Sequence, residues 1–245
     1  MSTLASTLTG PVHVVAADLL SNLANPAHAL GAYVETADGR GFRYAKVGAV
    51  DTVAGKLYQS SAQDTTNLNP SGGIAVAAAA IGATSVTLTA SLTLAANLLA
   101  GGYMGVAVTP GQGYTYRVLG NTAVSSAANC AVTLADPLQV AFTTASRVVF
   151  TAHPYSGVIV NPTTATGAPV GVANSIITAS QYGWLQTRGV CNVLTDSGTT
   201  IGLGVAPSAA VAGAVKTAAT TLNTIGFTVN TCVTTEYDNV FLTIG

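Results

Sequence analysis

Short runs in which apolar residues alternate with Thr, Ser or another small polar residue recur along this chain, each cut off by Gly, Asn-Pro or Asp-Pro. A period of two is the repeat of a strand with one face inward, and the spacing of about ten residues between breaks is that of a barrel or sandwich. Ser85-Val-Thr-Leu-Thr89 shows the pattern most clearly, with Val86 and Leu88 inward and the hydroxyls outward. Nearer the start, Tyr33 and Glu35 lead into Asp38-Gly39, a hairpin signal. Phe42, Tyr44 and Lys46 then share one face against Arg43 and Ala45. Leu57 and Gln59 oppose Tyr58 in the same way. Further strands are expected at 103–108, 114–119, 131–134 and 147–151, with a short one at 157–160. The last third carries seven more, at 170–177, 182–188, 190–194, 201–205, 213–216, 225–229 and 239–244. The expected class is all-β: a small antiparallel barrel or sandwich, a second β domain and an N-terminal arm.

Residues 1–29 form the arm. Val15, Leu19, Leu20 and Leu23 recur at helical spacing beside Asp18, and Asn25-Pro26 ends any helix there, so one or two turns are the most the segment allows. Such an arm suits packing on a neighbouring subunit, or disorder. Two stretches, 60–73 and 153–168, have the Ser, Asn, Pro and Gly content of linkers. One internal echo links 39–48 and 111–120, which share Gly-x-Gly-aromatic-x-Tyr-x-x-aliphatic-Gly. Duplication explains it, and so do two hairpins with the same needs.

Composition bears on function through charge. Only 7% of the 245 residues are charged, eight Lys plus Arg against nine Asp plus Glu. An ordinary soluble domain carries roughly 25%. A surface of Thr, Ser, Asn, Ala and Gly lacks the charges that hold monomers apart, and it suits a chain whose neighbours cover much of it. A secreted Thr- and Ser-rich domain is the plainer alternative. No Lys/Arg run exists to grip phosphates, so direct nucleic-acid binding is not expected. The opening residues lack a basic n-region, and the Ala-rich stretch 72–90 is broken by Gly82, Thr84, Ser85 and Thr87, so neither a signal peptide nor a membrane span is expected.

The same scarcity removes catalytic groups. His13 and His28 fall in the arm, and His153 precedes a proline in a loop with no Ser or Asp signature around it. Asp38, Asp51, Asp136 and Asp196 stand in turn contexts, where Asp caps backbone. Glu236 and Asp238 are two apart on a strand, the one pairing that could serve glycosidase chemistry. The glycines 39, 41, 111 and 113 precede strands rather than helices and cradle no phosphate. Cys130, Cys191 and Cys232 make no metal pattern and read as small buried residues, with a Cys191–Cys232 disulfide as the alternative. No catalytic residue, metal or cofactor is expected. Tyr155, Tyr182 and Trp184 are the candidate aromatics: core of the terminal barrel, or a platform for stacking a carbohydrate.

Several of these segments resemble tailed-bacteriophage virion proteins. Ala37-Asp-Gly-Arg-Gly-Phe-Arg-Tyr-Ala-Lys-Val-Gly48 and Val53-Ala-Gly-Lys-Leu-Tyr-Gln59 carry the N-terminal part of the likeness. Ala168-Pro-Val-Gly-Val-Ala173, Gln181-Tyr-Gly-Trp-Leu-Gln-Thr-Arg-Gly189 and Glu236-Tyr-x-x-Val-Phe-Leu-x-Ile244 resemble the β-barrel of head decoration (cement) proteins. The likeness spans most of 30–245 and contains no catalytic motif. It implies that the first hairpin pairs with the later strands, so that 70–152 is an inserted β domain within a discontinuous barrel of 30–69 and 153–245. It also implies a non-enzymatic capsid decoration subunit, made in the host cytoplasm and carried on the virion surface. Its expected partners are the major capsid protein and copies of itself, as a homotrimer. A tail or fibre subunit and a carbohydrate-binding module are the alternatives.

Overall fold

The computed structural model describes residues 16–90, 92–125, 129–219, 224–231 and 235–245. They contain one short 3-10 helix, Ala16–Leu20, and eighteen strands, with no α-helix among the described residues. The chain divides into two compact units, one of residues up to Ser61 with Tyr155–Gly245, the other Ala62–Pro154. The first unit opens with β1 (Tyr33–Glu35), β2 (Gly41–Val47) and β3 (Leu57–Gln59). The second contributes β4 (Ile74–Ala75), β5 (Ser85–Leu88), β6 (Thr93–Leu94), β7 (Tyr103–Val108), β8 (Thr115–Asn121), β9 (Val124–Ser125), β10 (Cys130–Leu134) and β11 (Arg147–Thr151). The chain then returns to the first unit with β12 (Ser156–Val160), β13 (Pro169–Ala173), β14 (Tyr182–Leu194), β15 (Gly204–Pro207), β16 (Val215–Thr217), β17 (Gly226–Thr228) and β18 (Tyr237–Thr243).

The first unit is built on β14. Its leading half pairs with β2, Trp184 opposite Tyr44, and the sheet closes through β12, β3 and β13 into a five-stranded barrel. All these pairings are antiparallel except β12 with β2. The trailing half of β14 pairs with β18, and β17, β15 and β16 continue the sheet. A parallel bridge from Thr195 to Val215 brings this second circuit almost to closure. Ala45, Val47, Tyr58, Val158 and Leu185 fill the first circuit. Cys191, Val193, Val205, Val215, Val240 and Leu242 fill the second.

Reading 182–188 and 190–194 as separate strands is corrected here, because Gly189 bends the ladder without ending it. Its φ is +83°, and a Cβ there would lie about 3.1 Å from the Arg40 Cα, so only glycine carries β14 past β2 and onward to β18. Neighbouring ladder irregularity between Gln186 and Arg188 marks the same bend.

In the second unit, the six strands β4-β11-β7-β8-β10-β5 form one sheet, which a bridge between Val76 and Leu88 closes on itself. Val86, Leu88, Met104, Val118, Val132, Leu134, Phe142 and Phe150 belong to its single core cluster. The expected inward residues Val86 and Leu88 are both buried. This unit begins eight residues before the expected 70 and ends two after 152, because Leu68 joins that core and Asp64 holds its turn by accepting hydrogen bonds from the backbone of Thr66 and Asn67. The echo does not extend to conformation: Gly48 follows β2 whereas Gly120 lies inside β8, and Phe42 is buried where Tyr114 is exposed.

The arm differs from expectation over its described part. Leu19 is buried, and Leu23 exchanges two backbone hydrogen bonds of 2.9 Å with Tyr182, so this segment lies on its own barrel. The reason is local. Phe42, Tyr44 and Trp184 sit on the outer face of the first circuit and need an apolar cover. His13 and Cys232, and with it the alternative disulfide, fall outside the described residues; Cys130 and Cys191 are buried thiols.

Candidate functional site

Pairing of β2 with β14 places Tyr44 beside Trp184, with ring centroids 5.0 Å apart and an edge-on angle of 62°. The His28 ring closes over both, 5.2 Å from each. Tyr182 stacks on Tyr44 at 6.0 Å, and the Lys46 ammonium lies 5.6 Å from the Tyr182 ring. The Tyr44 hydroxyl accepts the Ala27 N–H at 3.1 Å, which fixes the covering segment and, together with burial, shapes that hydroxyl's acidity; burial dominates and pushes its pKa up. Trp184 is 2% exposed. A ring so covered offers no face to a sugar: Trp184 packs within the fold, and Tyr182 is half-buried beside it.

Tyr155 does not join them. It packs against the interior cluster of the first circuit, and the Arg43 guanidinium lies 5.8 Å from its ring and 5.4 Å from that of Tyr33. Burial raises the Tyr155 pKa and the Arg43 charge partly offsets this. Of the three candidate aromatics, Tyr182 and Trp184 therefore share one cluster and Tyr155 belongs to another, on the opposite face of β2.

Asp38, Asp51 and Asp196 are engaged by a guanidinium, backbone and hydroxyls, whereas the buried Asp238 accepts the Asn239 N–H through Oδ1 and has no hydrogen-bond partner at Oδ2. Asp38 accepts from Arg40 at 2.7 Å and from the Thr36 hydroxyl, Asp51 from the Ala179 N–H at 2.8 Å, and Asp196 from the Ser208 hydroxyl. Hydrogen bonds from Thr36 and Arg40 hold the Asp38 carboxyl below its ordinary value. Glu236 and Asp238 do not form a pair: Glu236 is exposed ahead of β18, and Asp238 is buried within it. His153 has its pKa lowered by burial and by Arg117. No group of three or more His, Cys, Asp or Glu suited to a metal occurs among the described residues. Neither does a helix long and apolar enough to cross a membrane.

Described residues of the first unit line two clefts that bear on chemistry. One, of about 530 Å³, is walled by Pro169, Pro207, Ile225 and Ile244; Lys216 lines it, and no carboxylate or imidazole does. The other, of about 290 Å³, holds Cys191 beside Asn174 and Gln186. The Cys191 thiol donates to the Asn174 Oδ1 at 3.2 Å, and burial pushes its pKa up to about 12. A thiol held protonated is a poor nucleophile and metal ligand.

Comparison with known proteins finds no matching family model, no similar curated protein and no similar solved structure.

The feature that residue-by-residue reading missed is on the outside of the second circuit. Val190 on β14, Phe241 on β18 and Phe227 on β17 stand opposite one another across three adjacent strands. They are 46%, 42% and 48% exposed. An antiparallel sheet with one solvated face normally turns polar residues outward, so the outward Phe241, between Asn239 and Thr243 on β18, departs from that pattern. A signal existed in Val240-Phe241-Leu242, where the alternation lapses into continuous apolar sequence.

Proposed function

We propose that this chain is a structural subunit of a virus particle, a capsid decoration protein that binds the outer shell and stabilises it through protein–protein contacts. Its partners in this reading are the major capsid protein and further copies of itself, as a trimer. The observation that carries it is the pairing of a surface almost without charge with an in-register apolar row left open to solvent on the second circuit. Scattered exposed apolar side chains are ordinary, but a contiguous row on a neutral sheet marks a contact surface. The capsid as partner rests on the resemblance of residues 37–59, 168–189 and 236–244 to decoration proteins. Burial of Trp184 takes away the main support for the carbohydrate-binding alternative.

In this role the chain does mechanical work. A subunit spanning a joint between shell proteins buries surface on both, and outward pressure must then break those contacts before the joint opens. Contacts of this kind involve little charge, so they persist when salt rises from about 50 to 500 mM. Co-sedimentation with empty shells of the particle, followed by electron microscopy, tests the proposal. Added density on the outer surface at both salt concentrations is the expected result; no binding, or binding lost at high salt, overturns it.

A further inference from the structure

The outer face of β14, β18 and β17 carries a more specific assignment, which rests on the assembly reading above. We propose that this face docks against the same face of a second copy of this chain, with Phe241 at the centre of the contact.

Four observations converge on it. Phe241 lies on the middle strand of the three, with Val190 directly opposite on one side and Phe227 on the other, so the row is continuous. Tyr237 and Val229 extend it along the strands at 47% and 41% exposure. The five side chains leave about 400 Å² of apolar surface open, within the range at which a patch on a monomer is often functional. Two such faces with their polar rims reach about 1,200 Å², the lower bound for a specific interface.

Charge selects the occupant. The cations at the rim of this face are already paired within the chain: Arg188, opposite Thr243, lies 3.9 Å from Glu35, and Arg40, which lines a cleft with Val190, Asn192 and Tyr237, lies 2.7 Å from Asp38. One step from Phe241 the rim is Asn192 opposite Asn239, neutral groups that both donate and accept hydrogen bonds. A charged partner gains nothing from such a face and loses its own hydration. A second copy brings the same apolar row and the same amide rim, opposes no like charges, and can satisfy amide with amide. Gathering of the Phe241 rings about one symmetry axis serves two copies or three.

The cross-strand pairs also stabilise the sheet itself, as aromatic and β-branched neighbours do. The test must therefore separate folding from docking. Sedimentation velocity and light scattering on the full chain, at concentrations from about 1 to 100 µM, compare the wild type with Phe241→Asp and Phe241→Thr. Thr keeps a β-branched strand former while removing the ring. Far-ultraviolet circular dichroism shows which variants remain folded. A third variant, Phe227→Cys, reports proximity without removing the centre of the row, through a disulfide between copies under oxidation.

The wild type is expected to self-associate, Phe241→Thr to weaken association by about 10-fold and Phe241→Asp by about 100-fold or more, with folding retained in the Thr variant. Phe227→Cys is expected to cross-link copies. Undiminished association in a folded Phe241→Thr, with no cross-link at 227, overturns this face as the contact and leaves assembly standing. A wild type monomeric throughout overturns docking of a second copy, and leaves shell binding to the co-sedimentation experiment.

Discussion

The two units solve the same problem with different materials. The second gathers its apolar side chains into one cluster inside a closed six-stranded sheet. The first divides them among three clusters, because β14 is shared by two circuits and its leading half is apolar on both sides. Small circuits hold few large side chains, and their connecting loops are secured by buried polar groups. Thr52 donates to the Ser175 carbonyl and accepts from the Ile177 N–H, Gln59 donates to the Thr166 hydroxyl, and Gln186 donates to the carbonyls of Arg188 and Val190. A single core is most sensitive to voids, whereas the divided one leans on buried polar pairing, which it leaves incomplete at Asn161 Oδ1 and Asp238 Oδ2.

That contrast can be broken most forcefully in the second unit. Phe142 is 2% exposed within the single core, and Phe142→Ala is expected to cost about 3–5 kcal/mol, read as an earlier urea transition. In the first unit Trp184→Ala is expected to cost about 3 kcal/mol. The telling measurement there is hydrogen exchange, since the paired amides of Leu23 and Tyr182 should lose protection while the interior of the second circuit keeps it. Thr52→Val, nearly isosteric, leaves the Ser175 carbonyl and the Ile177 N–H without their hydroxyl partner and is expected to cost about 1–3 kcal/mol in chemical denaturation. Equal tolerance of this change and of a comparable swap in the second unit would dissolve the distinction.

A pH experiment sharpens it further. Cys191, in the first unit, keeps its proton to about pH 12, against 9.0 for an ordinary thiol. Below pH 9 the thiol is protonated in both states. Between about 9 and 12 only the unfolded chain releases the proton, so stability falls across that window. Burial raises the pKa of Tyr58 and Tyr155 in the same direction. Denaturation midpoints should drop from pH 8 to pH 10.5, less steeply in Cys191→Val. The smallest effect belongs to Glu35→Gln, which removes a half-exposed pair of 3.9 Å and should shift stability by about 0.5 kcal/mol or less.

Much of the architecture could be read from alternation. The runs at 85–89, 103–108 and 147–151 lie on β5, β7 and β11, and linker composition near 60–73 and 153–168 lies close to the observed unit boundaries. Gly189 misled because a glycine that bends a strand and a glycine that ends one are the same letter; only the approach of Arg40 separates them. Burial of Trp184 followed from its chemistry, but its position outside the circuit did not, since the residues covering it stand some 160 positions earlier in the chain. The row of Val190, Phe241 and Phe227 was hidden for the same reason. The apolar run at 240–242 hints at a second apolar face on one strand, but which residues of distant strands it lines up with is decided by their pairing.

The strands that flank the second unit have a consequence of their own. Gln59, near the end of β3, is hydrogen-bonded partner to Ile159 on β12, so the chain leaves the first unit and re-enters it along neighbouring strands. A short turn could join those two ends and leave the surrounding ladder intact. The point of departure and the point of return are thus one place in the ladder, and a different segment of chain, or a bare turn, could be spliced there without redesigning the strands on either side.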